Sequence, residues 1–585
     1  MKKKINLINI KINQSSKKKL SKLNLRNKIA IGDWCELIEN IYLNKKDYKF
    51  LDFNNWHNLK KKSQDSHLIM TTYDYFLKFL TFKLNEIHKK KETQKFWEIL
   101  LGRWLFAYIH NIYSRWQIVQ EIKKDFRIET LITSEYEDLD FIPNTSQDSH
   151  WIMMSPYNDY WNTLIFNKII KFMFKKKIKI RYIKKQKIKL KKNYSYNSIF
   201  FSNVINFSLN KKIFFYDLSL DKKIRFLLMV QNYFLNFHLC KKKINLKNKT
   251  NKELRNQLRP KKKVFKNEFF KFLHLDIIFR VPKIFLENFD DLNNTYRSLN
   301  WPKKPDYIIS SYAQYYDEVF KYYCAKKIKK SKLYILQHGY NNIFADKDIY
   351  SGNIDKKISS SFLTWGKNYK DNSKAFIFPY KSHLDNKINQ NKKILFILYA
   401  FNEKPFFPLN GFISGNKKNI KTIKLVENFI KNSSLEIQKN SFAKLMSHSM
   451  IKGVNKSIKY KFPKLVFIDS KKNFSQIINN FNLSIHFFLG TPFFESMHHN
   501  KPCILILDKE MHLNFDKKFS IFLKYLKKNK ICFEKADEAS RFITLNYDNI
   551  SKWWKNKSLQ KSRNEFCEVY CRNFKNDNKI LKKIF

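Results

Sequence analysis

Asp306-Tyr-Ile-Ile-Ser-Ser311, a helical stretch to Lys330, and then Lys332-Leu-Tyr-Ile-Leu-Gln-His-Gly339 form the segment whose reading decides the fold. The two outer runs are short, apolar and rich in β-branched and aromatic residues, so they read as strands. Strand, helix and strand in that order make a βαβ unit, in which the crossover brings the second strand back parallel to the first. The pattern recurs downstream. Lys393-Ile-Leu-Phe-Ile-Leu-Tyr399 is a buried-strand run, Leu425–Lys431 is helical, and Ser441–Met446, Leu465–Asp469, Leu483–Phe488 and Cys503–Leu507 read as further short strands. Upstream, Lys28-Ile-Ala-Ile-Gly-Asp-Trp-Cys-Glu-Leu-Ile38 breaks from strand toward helix at Gly32. The apolar residues of Phe96–Trp116 fall at helical spacing, on a buried helix that also carries Arg103 and Arg115. Another helix is expected over 150–175.

These alternations predict an α/β chain with two Rossmann-like parallel-sheet domains. The expected divisions are a basic leader over 1–27, an N-terminal domain over 28–345, an interdomain segment over 346–392 and a C-terminal domain over 393–585. Residues 171–266, dominated by Lys, Asn and aromatics, are expected to be a basic elaboration of the first domain.

A chain of 585 residues exceeds one core, and with 43% hydrophobic and 17% aromatic residues it has the apolar mass to fold. Lys and Arg number 114 against 50 Asp and Glu, a formal charge of +64. That charge suits a polyanion, whether an anionic membrane, an anionic substrate or nucleic acid. However, Asn, Ile, Phe and Tyr, also residues of A/T-rich codons, are enriched with Lys, so compositional drift accounts for the charge equally well. The seven scattered cysteines argue for a reducing compartment. The apolar stretch Ile5–Ile10 is too short for a signal peptide, and no run reaches the roughly 20 apolar residues of a membrane span. The expected place is therefore the cytoplasm.

Ligands of open α/β sheets bind beyond the carboxyl ends of strands, which singles out two places. The first is Gln337-His338-Gly339: glycine allows close backbone approach, and the imidazole can take a proton near neutral pH. A histidine tied to backbone in a turn is the alternative. The second is Leu489-Gly-Thr-Pro-Phe-Phe-Glu-Ser496, where a small-residue turn opens a helix. Backbone N–H groups there suit a phosphate, and Glu495, expected on the first turn, can accept from ribose hydroxyls. Helix capping explains Thr491 and Glu495 as well. Lys444 and His448 can supply positive charge to a departing phosphate. Asp138-Leu-Asp140 is a D-x-D of the kind that holds a divalent metal, but it lies in an acidic loop and is discounted, and the spacing of His498, His499 and His512 matches no standard zinc site.

The ordered series Ile31-Gly-Asp-Trp-Cys-Glu-Leu37, Phe96-Trp-Glu-Ile-Leu-Leu-Gly-Arg-Trp-Leu105, Asn158-Asp-Tyr-Trp-Asn162, Trp301-Pro-Lys303, Gln337-His-Gly339, Phe362-Leu-Thr-Trp-Gly366 and Phe493-Phe-Glu-Ser496 through Lys501-Pro502 resembles a family of transferases from bacterial surface-carbohydrate (O-antigen and capsule) loci. The C-terminal half is also similar to polymerases that transfer CDP-glycerol units. The resemblance implies a glycosyltransferase-B-like pair of domains facing a cleft, acceptor side first and nucleotide-donor side second. It implies His338 as base within Gln337-His338-Gly339, Thr491, Glu495 and Ser496 on the nucleotide, and Lys444 with His448 on phosphate. The sequence departs from the family at Phe487-Phe-Leu-Gly490, in place of a Ser/Thr-rich turn, at Lys444, in place of Arg, and at Tyr340, in place of a second glycine.

The function expected is transfer of a glycosyl or related group from a nucleotide-activated sugar to a glycan or lipid-linked acceptor in lipopolysaccharide or capsule assembly. It would need no metal and no cofactor beyond that co-substrate, and the protein would lie peripherally on the inner membrane. The alternatives are a basic nucleic-acid-binding protein without catalysis, favoured by the Lys-aromatic interleaving of 171–266, and a scaffold with a degenerate site.

Overall fold

The computed structural model describes residues 2–35, 48–51, 59–154, 158–175, 178–185, 213–221, 224–225, 228, 237–238, 244, 246, 249–260, 265–339, 351–366, 372–379, 391–398, 415–445, 458, 461–469, 471–508 and 517–572. Three parallel sheets appear among them where two were expected. The first comprises β1 (Lys3–Asn9), β2 (Lys28–Ala30), β3 (Lys49–Phe50), β4 (Phe126–Glu135) and β5 (Lys179–Lys185) in the order β3-β2-β1-β4-β5. The second comprises β6 (Ile213–Tyr216), β7 (Phe237–His238), β8 (Tyr307–Ser310), β9 (Lys332–Leu336), β10 (Ser361–Thr364) and β11 (Ser373–Ala375) in the order β11-β10-β9-β8-β6-β7. The third comprises β12 (Ile394–Ile397), β13 (Ser441–Lys444), β14 (Val466–Ile468), β15 (Leu483–His486), β16 (Cys503–Ile506) and β17 (Cys532–Phe533) in the order β14-β13-β12-β15-β16-β17. In each sheet the strand order reverses direction next to an inner strand, which is the doubly wound arrangement.

The helices used below are α1 (Gln14–Ser21), α2 (Leu59–His88), α3 (Gln94–Asp125), α4 (Asn158–Phe174), α5 (Glu318–Lys327), α6 (Ser351–Ile358), α7 (Thr491–His498) and α8 (Lys557–Tyr570). α3 covers the helix expected at Phe96–Trp116 and is buried on nearly every side, because it packs against α2, α4, α5 and α6. Through it, the first two sheets share one continuous core, from Ile5 and Leu7 on β1 to Ile335 on β9 and Phe362 on β10. The third sheet has its own cores on its two faces.

The expected basic leader is a correction: Lys3–Asn9 is the strand at the switch point of the first sheet, paired with β2 on one side and β4 on the other. Its asparagines argue against a strand only while they lack partners. In the fold Asn6 Nδ2 donates to Arg26 O at 2.7 Å, and Asn9 Nδ2 donates to Thr163 O at 3.1 Å and Asn167 Oδ1 at 3.0 Å, so both amide groups find acceptors inside the sheet. Parts of 171–266 are likewise framework, since β5 is an edge of the first sheet and β6 lies inside the second.

Candidate active site

β9 delivers Gln337 and His338 to the carboxyl edge of the second sheet. Four bonds fix Gln337: its N–H donates to Leu363 O at 2.8 Å, its Oε1 accepts from Trp365 N at 2.9 Å, its carbonyl accepts from Trp365 Nε1 at 2.7 Å, and its Nε2 donates to Gly339 O at 3.0 Å. Gln337 thus holds the turn in shape. Among the described residues a Cβ at Gly339 would meet nothing within 4 Å, on the same turn as His338.

The imidazole of His338 lies against Tyr312 and Tyr315, with ring centroids 4.4 and 4.7 Å away. Burial, reinforced by the Arg103 guanidinium, pushes its pKa down to about 3, so without substrate the ring is neutral at pH 7 and a weaker proton acceptor than the near-neutral imidazole expected from the sequence. Among the described residues its buried Nδ1 has no hydrogen-bond partner, whereas the alternative was a histidine tied to backbone. Arg103, projecting from α3, lies 3.4 Å over the Tyr315 ring and pairs at 3.3 Å with Asp355 of α6, to which the Tyr315 hydroxyl donates at 3.0 Å. Burial nonetheless raises the Asp355 pKa above the usual carboxylate value, and Arg103 opposes that shift.

On the third sheet Lys444 ends β13, nearly buried, and desolvation lowers its pKa while Asp469 opposes the shift. His448 lies outside the described residues. α7 begins after β15 with Gly490 as N-cap and no side-chain cap, and Pro492 stands in its first turn. A Cβ at 490 would lie 2.2 Å from the Phe488 ring, which would have to swing aside to admit any other residue. Thr491 does not cap, and Glu495 lies one turn further in than expected, so the capping reading of both is corrected: α7 starts one residue after the glycine rather than after a hydroxyl. The Glu495 side chain is buried, makes no hydrogen bond or ion pair among the described residues, and has its pKa pushed up to about 8 by burial. Ser496 turns inward instead, its hydroxyl 3.2 Å from Ser484 Oγ and 3.3 Å from His486 Nε2, and donating to Pro492 O at 3.0 Å.

The segment after β10 packs on α7 through aromatic rings. Trp365, which holds Gln337, has its ring centroid 6.3 Å from that of Phe494, the residue before Glu495, and Phe378 lies 4.8 Å from His498 at the far end of α7. The end of α8 closes the junction: Arg572 N donates to Trp365 O at 2.8 Å, and a Cβ at Gly366 would lie 1.9 Å from Val569 O.

Other residues that the sequence offered have structural roles. Arg115 is buried and donates to Asn162 Oδ1 at 3.0 Å. Asp138 of the D-x-D pairs with Lys168 at 2.8 Å and with Arg280, and these two cations also hold Asp276. Among the described residues no group of three or more His, Cys, Asp or Glu could hold a metal, and no helix is long and apolar enough to cross a membrane.

The model of the LIC12162 family transferases matches residues 14–585. The chain belongs to that family. The match takes in nearly all of the chain, so all three sheets of this LIC12162 family member contribute to the matched unit, and membership makes it a transferase. No curated protein matches the chain. Sequence reasoning missed Tyr312, Tyr315 and Asp355 in this transferase. Tyr312 follows β8, so the rule that led to His338, applied to the preceding strand, points to it. Asp355 carries no local signal, because only the packing of α6 on α3 brings it to Arg103.

Proposed function

We propose that the protein transfers a glycosyl or related group from a nucleotide-activated donor to a surface glycan or its lipid carrier, at the cytoplasmic face of the inner membrane. The observation that carries this reading is the neutral imidazole of His338 at the carboxyl end of β9, with one buried ring nitrogen that finds no partner among the described residues. The acceptor hydroxyl gives its proton to His338 as its oxygen bonds to the transferred carbon. The bond from that carbon to the donor phosphate oxygen breaks, and the electron pair leaves with the nucleotide. Backbone N–H groups at Gly490 and Thr491, with Lys444, offset the charge on the departing phosphate. Glu495 accepts from the ribose hydroxyls, and His448 joins the phosphate side by family resemblance. The reading gives no step to a metal, and the Lys-rich surface holds the protein against anionic lipid.

His338→Ala is the test. Turnover should fall by at least about 100-fold, the usual contribution of a general base, while calorimetric affinity for the donor stays within a few-fold. Near-normal turnover rejects the base, and absence of heat from wild type across CDP-, UDP- and GDP-sugars rejects the donor site.

A further inference from the structure

The carboxyl edge of the first sheet holds a cavity of about 210 Å³ that the reaction above does not use. It lies where β1 and β4 part company, β2 and β3 being on one side and β5 on the other. This is the crevice that a doubly wound sheet leaves for a ligand. Lys11 follows β1, Tyr136 follows β4, and α4 contributes Asp159 and Tyr160 to the opposite wall.

The lining has a definite chemistry. Lys11 and Lys19 place two ammonium groups against the one carboxylate of Asp159. Backbone carbonyls steady both: Lys11 Nζ donates to Trp34 O at 3.1 Å and Lys19 Nζ to Ile183 O at 3.2 Å. α1 starts at the rim, with Asn13 as N-cap and no acidic residue in its first turn, so its positive end adds to the lysines. Tyr136 and Tyr160, in the same lining as Asp159, have ring centroids 5.5 Å apart at 56°. The lysines therefore suit an anion, and the tyrosines with Asp159 suit a ring carrying hydroxyl groups. At about 210 Å³ the space falls below the roughly 300 Å³ at which pockets for drug-sized ligands begin, which favours a compact metabolite over an entire nucleotide sugar.

We propose that this crevice is a separate binding site for a phosphorylated sugar, with the phosphate at Lys11, Lys19 and the start of α1 and the sugar ring against the tyrosine pair and Asp159. The site is independent of the transfer reaction proposed above. It gives the first sheet, whose central strand the sequence offers as a leader, a ligand of its own.

Calorimetry of the full chain with glucose 1-phosphate, inorganic phosphate and UDP-glucose tests it. Glucose 1-phosphate should bind saturably, Lys19→Glu should weaken it at least tenfold, and Lys444→Ala, on the third sheet, should leave it unchanged. Lys19 is exposed, so K19E should melt at the wild-type temperature, and Lys19→Arg should restore most of the affinity. Absence of heat from wild type, or equal affinity in K19E, overturns the site. Inorganic phosphate binding as tightly as glucose 1-phosphate overturns the sugar assignment. UDP-glucose heat abolished by K19E overturns it too, by moving the nucleotide to this sheet. None of these outcomes depends on the result for His338→Ala.

Discussion

At the end of β9 the fold supplies partners. Arg103 pairs with Asp355, Tyr315 donates to Asp355, and Gln337 makes four hydrogen bonds, while among the described residues His338 Nδ1 has no hydrogen-bond partner. At the start of α7 the fold withholds them. Gly490 brings no side-chain cap, and Glu495 is buried without a hydrogen bond or ion pair among the described residues. The second sheet thus presents a site whose support is built from the described residues, whereas at the start of α7 the described residues supply neither a side-chain cap nor a partner for the Glu495 carboxyl. Preorganised polar groups suit the atom that reacts, and unsatisfied ones suit a group that binds and leaves.

The largest expected effect tests the completeness of the first site. Asp355→Ala leaves the Arg103 guanidinium buried beside Tyr315 without its carboxylate, which should cost about 3–5 kcal/mol in denaturant unfolding. A loss below about 1 kcal/mol would mean that water or another group replaces Asp355, and the contrast would fail.

Glu495→Gln sharpens the contrast by pH. With its pKa raised from 4.5 to about 8, folded Glu495 keeps a proton that the unfolded chain releases in that window. Its contribution is therefore fully present below pH 4.5 and is lost as pH rises toward 8, at up to about 1.4 kcal/mol per pH unit. E495Q should remove that slope, so the variant gains stability over wild type between pH 5 and 8 in paired denaturation curves. His338 has the opposite sign: its pKa falls from 6.5 to about 3, so the unfolded chain takes the proton and stability is lost as pH drops through that range. A pH-independent difference between wild type and E495Q would show that Glu495 finds a partner in solution.

The smallest effect compares two helix starts. Asn13 accepts from Ser16 N at 3.0 Å and caps α1, so Asn13→Ala should cost about 1 kcal/mol. Thr491 caps nothing, and Thr491→Ala should stay within about 0.5 kcal/mol in thermal unfolding without ligand. Equal losses would give Thr491 a capping role and remove the open helix start.

Much of this was legible in the sequence because parallel strands buried on both faces write their own short apolar runs. β8, β9, β12, β13, β15 and β16 all fall within runs that read as strands, and His338 and Lys444 stand at strand ends where the pattern directs attention. β1 was not legible, since Asn6 and Asn9 look like interruptions until Arg26, Thr163 and Asn167 are brought to them. Nor was the inward turn of Ser496, which depends on Ser484 and His486 across the sheet.

Local periodicity fixed the α/β class, the parallel strands and the two turns that carry polar residues, because those depend on neighbours a few positions apart. The third sheet, the Arg103–Asp355 support of His338, the solitary carboxyl of Glu495 and the junction at Trp365 were decided by tertiary structure alone. Whether a buried polar group is satisfied depends on residues as far apart as Asn9 and Thr163, and no spacing along the chain encodes that distance in space.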